Sequence, residues 1–316
     1  MKTYLVTGGA GFIGGHLVEA LVRRDARVRV FDNLSTGSRS NLTAVGGDVE
    51  FLEGDIRDLD AVRRAMAGVD VVLHQAAVPS VQRSLDDPLT TNAVNVDGTL
   101  NVLVAARDAG VQRVVAASSS SVYGDTAVLP KVETMAADPR SPYAVSKLAA
   151  ERYCRAFTIG YGLPTVALRY FNVFGPRQDP ESHYAAVIPR FIAAMLQEES
   201  PVLYGDGQQS RDFTYIENVI HANLLAADAP TDVSGIYNVA TGTRITLLDV
   251  VAQLGDLLAV QIPVQHAAAR RGDVRHSQAS IDAIASALGY APRVDFASGL
   301  AQTVEYYRRL HGERAR

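Results

Sequence analysis

Cysteine is nearly absent. Cys154 is the only one in 316 residues, which excludes an intramolecular disulfide and fits a reducing cytosol. An excess of either charge is missing too. Lysine and arginine total 30 against 34 acidic residues, a net charge of −4, with no basic tail or arginine-rich helix. Nucleic acid and anionic membrane surfaces are therefore poor partners. No apolar run reaches the roughly 20 residues a bilayer span requires. Near the start, the glycines of Thr7–Gly14 interrupt the apolar stretch, so it reads as a strand and turn rather than a signal peptide. Internal repeats and low-complexity segments are absent, and no metal site is expected. With 47 % hydrophobic residues the chain has material for a sizeable core. The expectation is a cytoplasmic protein of one large or two moderate domains.

What is present begins at Tyr4-Leu5-Val6-Thr7, an apolar run that meets Gly8-x-x-Gly11-x-x-Gly14 and then the helical spacing of His16–Val22. Strand, glycine turn and helix in that order form a dinucleotide cradle. The early glycines let the backbone approach a pyrophosphate, the last lets helix and strand pack closely, and the helix start offers free N–H groups. Incidental glycines in an ordinary turn would give the same letters. The next strand, Arg27–Phe31, ends at Asp32, where a carboxylate can bond adenosine ribose hydroxyls and repel a 2′-phosphate, favouring NAD over NADP. The same aspartate could instead cap the loop Asn33-Leu34-Ser35-Thr36-Gly37.

Further strands are expected at Val49–Leu52, Val71–His74, Val111–Ala117 and Thr165–Asn172, alternating with helices at Leu59–Met66, Asn92–Ala106 and Tyr143–Phe157. This alternation predicts a doubly wound parallel α/β sheet, Rossmann-like, with ligands beyond the carboxyl ends of its strands. The small residues of Gln75-Ala76-Ala77 follow one such end and would let a flat ligand lie on the backbone, while His74 reads as packing. Proline-rich, irregular sequence begins after Gly175-Pro176. A dinucleotide domain over 1–175 and a smaller α/β substrate domain over 176–316 are expected, with segments near 212–243 returning to the first.

Tyr143-Ala-Val-Ser-Lys147 puts a phenol and an ammonium one helical turn apart on one face. A nearby cation favours phenolate, and such a tyrosine can exchange a proton with a sugar hydroxyl. Two fixed residues also occur on ordinary amphipathic helices.

Taken together, these motifs resemble those of the extended short-chain dehydrogenase/reductase family, and within it the UDP-sugar 4-epimerases. The resemblance also rests on Gly54-Asp55-Ile56-Arg57-Asp58, Ser118–Gly124, Arg169–Pro176, Tyr204-Gly205-Asp206-Gly207, Arg211-Asp212-Phe213 and Arg270-x-Gly272-Asp273. It spans essentially the whole chain. It implies a tightly held NAD, contacted by Gly8, Gly11, Phe12, Ile13, Gly14 and Asp32, and by Asn33, Ser35, Thr36 and Gly37. Asp55, Ile56, Gln75, Ala76, Ala77, Asn95, Ser118 and Tyr170 complete that set. It further implies that Tyr143 is the proton acceptor, that Ser119 bonds the same sugar oxygen, and that Lys147 holds the nicotinamide ribose. Ser120, Asn172, Val187, Ile188 and Tyr204 would meet the substrate, Arg211 and Arg270 its diphosphate, and Asp273 its ribose. An arginine seen alone is as well explained by a surface ion pair.

Related 4,6-dehydratases carry an Asp-Glu pair after the serine, and UDP-glucuronate decarboxylases a glutamate. Here Ser120 and Ser121 stand there, and neither does acid–base work near pH 7. Epimerisation remains, with a UDP-glucuronate 4-epimerase as the alternative. Ser277 stands where galactose-specific members place a tyrosine, leaving space for a 2-acetamido group. Both plain and N-acetylated UDP-hexoses are expected substrates. A rival of another class is a non-catalytic NAD-binding scaffold. Relatives are commonly homodimers through paired helices, here Asn92–Ala106 and Tyr143–Phe157.

Overall fold

The computed structural model of the chain describes residues 1–43, 45–47, 49–180, 185–268 and 274–314. Seven parallel strands form the main sheet: β1 (Thr3–Thr7), β2 (Arg27–Asp32), β3 (Val49–Glu53), β4 (Val71–His74), β5 (Arg113–Ser119), β6 (Thr165–Tyr170) and β7 (Gly235–Val239). Their order is β7-β6-β5-β4-β1-β2-β3, so the order in which strands are added switches sides between β1 and β4, which lie parallel and side by side with Thr7 opposite His74. That switch point opens a crevice at the strands' carboxyl ends.

The apolar runs arise because both faces are covered. Along β1, Tyr4 and Val6 enter the core shared with helices Phe12–Val22 and Ile216–Asp228, while Leu5 enters the opposite core beneath Leu59–Met66 and Gly98–Asp108. Of the two segments expected to return, only one joins this sheet. β7 pairs with β6, whereas Thr214–Tyr215 makes a two-residue ladder with Val173–Phe174. Beyond residue 175, helices Val187–Leu196, Leu247–Leu258 and Phe296–Arg314 pack together. Their apolar faces continue the first core through Phe174, Phe213 and Phe296, whose ring centres lie 5.4–6.2 Å apart.

The helix expected at Asn92–Ala106 departs from regular geometry. Pro88–Asn92 runs into a π-helical turn over Ala93–Asp97 before α-helix resumes at Gly98. The wider turn carries Asn95 inward, where its side chain bonds the Val78 backbone through both N–H (2.7 Å) and carbonyl (3.2 Å) and reaches Ser146 Oγ at 3.0 Å. The loop after β4 and the tyrosine helix are thereby tied together. That helix spans Pro142–Tyr161, with Pro142 at its first turn and Ser141 accepting from Ala144 N at 3.1 Å. Such a cap contributes about 1 kcal/mol. Gly162, left-handed at φ +69°, ends it.

Candidate active site

Two glycines of the turn after β1 do different work. Gly8 has φ +69°, and a Cβ there would sit 2.6 Å from Ala76 N; at Gly14 a Cβ would sit 2.1 Å from Gly8 O. The first lets the chain turn against the end of β4, and the second seats the helix on the turn. Gly11 caps that helix without a side-chain hydrogen bond, so its first N–H groups point out as an anion cradle. Asp32, at the end of β2, accepts from Ala10 N at 2.9 Å and Leu34 N at 2.8 Å. Its carboxylate therefore anchors the glycine turn and the next loop, the local role the sequence also allowed. Each oxygen keeps a lone pair for a ribose. Asn33 donates to Asp55 at 2.9 Å, and paired hydrogen bonds from Arg57 hold the Asp55 carboxyl down at about 2. A glycine cradle, an uncapped helix start and an acidic strand end fit an adenine dinucleotide.

Beneath this, His74 bridges Thr7 Oγ1 (2.7 Å) and Thr99 Oγ1 (2.9 Å). Burial, aided by the Lys147 charge, pushes it down to about 3, so it is a neutral strut. Gln75 and Tyr170 meet over a residue with no sequence signal. The Asn223 side chain lies 3.2 Å from Gln75 and 2.9 Å from the Tyr170 hydroxyl.

A cavity of about 400 Å³ opens at the carboxyl ends of β5 and β6, and Ser119, Ser120, Tyr143, Tyr170, Asn172 and Ser277 line it. Ser118 and Ile13 also reach it, which brings the dinucleotide cradle and the tyrosine helix to one space. Lys147 lies below, its Nζ 6.0 Å from the Tyr143 ring centre and donating to Ala117 O at 3.0 Å. Lys147 thus stands close to the phenol ring, with no hydrogen bond to the phenol among the described residues. Burial raises the Tyr143 pKa, with only the Ser119 hydroxyl pulling it down. Burial likewise pushes Lys147 down to about 8, against the opposing influence of Cys154 and Glu151. Desolvation outweighs a cation that is not in contact with the phenol.

Glu151, one turn beyond Lys147, shows how the site is stiffened. It accepts from Ser118 Oγ at 2.5 Å and takes a bidentate pair from Arg169 at 2.8 Å. The Arg169 guanidinium also lies 4.6 Å from the Tyr123 ring centre. A charged residue at helical spacing from Lys147, facing an arginine inside an apolar strand, was the available signal for this pair.

A second cavity of about 250 Å³ shares Asn172, Val173 and Arg211 with the first, and adds Val187, Ile188 and Tyr204. Arg211 donates to Ser210 O and Arg275 O, and Ser277 N donates to Ser210 O at 3.0 Å. Arg211 and Ser277 are thus held on adjacent segments. Asn172 sits at φ +34° with its amide on Asp212 O at 3.0 Å. Arg270 and Asp273 lie outside the described residues. Ser35, Thr36 and Gly37 follow Asp32 in the loop beside the glycine turn, and Ile56 and Ala77 lie in the loops after β3 and β4. Among the described residues, no helix is long and apolar enough to cross a membrane.

A doubly wound sheet with a glycine turn at its switch point and a serine–tyrosine–lysine set beside it defines a dinucleotide-dependent enzyme of the extended short-chain dehydrogenase/reductase type. The chain belongs to the NAD-dependent epimerase/dehydratase family, whose model matches residues 4–240. It is 38 % identical over 308 residues to a putative UDP-glucose 4-epimerase of Methanocaldococcus jannaschii, covering 96 % of this chain and 97 % of the relative. The structure of a UDP-N-acetylglucosamine 4-epimerase from Methanobrevibacter ruminantium, in complex with UDP-N-acetylmuramic acid, superimposes with a TM-score of 0.94 at 41 % identity over 98 % and 99 % of the two chains. A Thermus thermophilus UDP-glucose 4-epimerase in complex with NAD matches at 0.89 and 39 %, over 97 % and 99 %.

Proposed function

We propose that the chain interconverts the C4 epimers of a UDP-hexose through a transient 4-keto sugar. The observation that carries this reading is Ser119 and Tyr143 facing one cavity with Ser120 and Ser121 where elimination chemistry would need an acid and a base. Tyr143 takes the proton of the 4-hydroxyl, with Ser119 holding the same oxygen. NAD held by the glycine turn and Asp32 would supply a hydride acceptor and donor for C4. Lys147, one turn after Tyr143 on the same helix, holds the nicotinamide ribose and keeps positive charge near the phenol. The glycine turn and Asp32 fix the dinucleotide. Arg211, with Arg270, pairs with the substrate diphosphate in forked, charge-assisted geometry, leaving the sugar free to present its other face.

Small Ser277 supports acceptance of both plain and 2-acetamido sugars, and the lone buried Cys154 fits a cytoplasmic enzyme. The test is turnover of UDP-glucose and UDP-N-acetylglucosamine, each in D₂O and read by proton NMR. A hydride stored and returned gives the 4-epimer with its C4 protium intact. Deuterium at C4, or a 6-deoxy-4-keto product, would overturn the proposal.

A further inference from the structure

Asn223 stands outside every motif read from the sequence, on helix Ile216–Asp228 behind the main sheet, and it is wholly buried. Its amide donates to the Tyr170 hydroxyl at 2.9 Å and to Val219 O at 2.8 Å, and its own oxygen accepts from the Gln75 amide at 3.2 Å. A phenol carries one hydrogen. The Tyr170 hydroxyl has Asn223 Oδ1 at 3.1 Å and Gln75 Oε1 at 3.2 Å. Donation to Gln75 supplies each acceptor with one donor and closes a ring, from Asn223 to Tyr170 to Gln75 and back. Such a ring fixes which end of the Gln75 amide faces which neighbour, and each bond polarises the next. Burial pushes the Tyr170 phenol up to about 12, against the pull of Asn223 and Gln75. Tyr170 therefore stays protonated near neutral pH and keeps the ring closed.

The ring joins the two ends of the site. Gln75 N donates to Thr7 O at 3.0 Å, and a Cβ at Gly8 would lie 2.9 Å from the Gln75 carbonyl carbon, so Gln75 sits against the turn that cradles a pyrophosphate. Tyr170 pairs in register with Ser119 and lines the cavity that Tyr143 also lines. Between the phosphate cradle and the proton acceptor lies the stretch where the reactive end of a dinucleotide has to come to rest. Asn223 holds both side chains of that stretch from behind, and the Val219 carbonyl fixes Asn223 in turn.

Resting on the dinucleotide of the epimerase reading and not on its sugar, we infer that Asn223 is a positioning residue for the nicotinamide, holding Gln75 and Tyr170 in the one arrangement that seats it beside Tyr143. A hydride that leaves C4 and returns within one turnover needs its carrier to keep one position while the sugar turns, and small misplacements slow such transfers steeply. Side chains already locked before binding also lose less freedom when the ligand arrives. A leucine at position 223 fills a similar volume but leaves Gln75 and Tyr170 to bond only one another, with no third member to fix the pair.

The experiment titrates the full chain, freed of carried-over dinucleotide, with NAD and with ADP-ribose, which keeps the adenosine, both phosphates and the second ribose but lacks nicotinamide. Wild type, Asn223→Leu and Asn223→Asp are compared. The wild type is expected to prefer NAD. Asn223→Leu should lower that preference by about fivefold or more, with the Kd for ADP-ribose within about twofold of wild type. Asn223→Asp, an acceptor without N–H donors, should lower it by a smaller factor. Equal weakening of both ligands would assign Asn223 to the fold, and unchanged affinity for both would make the ring idle; either result overturns the inference. A wild type that binds ADP-ribose as tightly as NAD overturns it as well. Should Asn223→Leu not fold, Asn223→Asp decides by the same ratio. UDP-glucose and UDP-N-acetylglucosamine turnover, measured alongside, separates the two readings: the predicted loss of NAD preference in a chain that epimerises neither sugar would uphold the role of Asn223 and sink the epimerase reading.

Discussion

Lys147 is a cation kept where a neutral side chain would be more comfortable. Its pKa lies near 8 against an ordinary 10.5, burial being the main cause. Between those values the unfolded chain holds a proton the native chain has released, so stability rises with pH through that window. Below it the buried charge carries a penalty on the order of 3 kcal/mol. Lys147→Met is therefore expected to raise the melting temperature at pH 7 while removing activity, with its advantage over the wild type fading toward pH 10. Thermal melts across that range would read the effect, and a variant less stable at pH 7 than at pH 10 relative to wild type would contradict it. Ser277 belongs to the same scale. Ser277→Tyr should fill the space assigned to a 2-acetamido group and depress turnover of UDP-N-acetylglucosamine well beyond that of UDP-glucose. Unchanged turnover of the N-acetylated pair would remove this residue from the specificity argument.

At the scale of the elements, the turn after β1 has little room. Adding a methyl at Gly14 brings it against backbone oxygen at 2.1 Å, which the helix can relieve only by lifting away from the turn. Gly14→Ala is expected to weaken NAD binding by tenfold or more and to destabilise the fold by about 1–3 kcal/mol, measured by NAD titration and thermal melting. Gly160, in the last turn of the tyrosine helix, meets nothing within 4 Å, so Gly160→Ala should gain roughly 0.5–1 kcal/mol. Periodicity and glycine placement made most elements readable in advance, because strands buried on both faces are continuously apolar and Leu59–Met66 shows its helical spacing plainly. The π-helical turn was not readable. It goes with a contact between Asn95 and the Val78 backbone, 17 residues away in sequence, and spacing alone carries no trace of it. Thr214–Tyr215 misled for a related reason, since alternation marks a strand without saying which sheet takes it.

Across the whole molecule, two helices carry apolar side chains into solvent near the active site. Leu89 is 82 % exposed, Val145 52 % and Tyr153 36 %, all beside or on the tyrosine helix. This supports a homodimer built on that face, expected in sedimentation velocity at micromolar concentration and lost in Leu89→Glu/Val145→Glu; a wild-type monomer at that concentration would exclude it. At this scale the sequence pointed to the shared cavity because Ser119 and Asn172 stand at the carboxyl ends of strands and Tyr143 opens the helix between them, and the fold must gather these at one edge. It missed Asn223 and Glu151, whose roles depend on contacts between segments distant in the chain.

The most direct test of the central claim is the formation of UDP-galactose from UDP-glucose, followed by NMR for the wild type and Tyr143→Phe in parallel, with bound NAD measured in both. Loss of a positioned acid–base group typically costs about 10²–10⁴ in rate. The phenol-based mechanism predicts wild-type epimerisation, with turnover reduced by that order in Tyr143→Phe and NAD occupancy unchanged. Comparable turnover by the phenylalanine variant would contradict it.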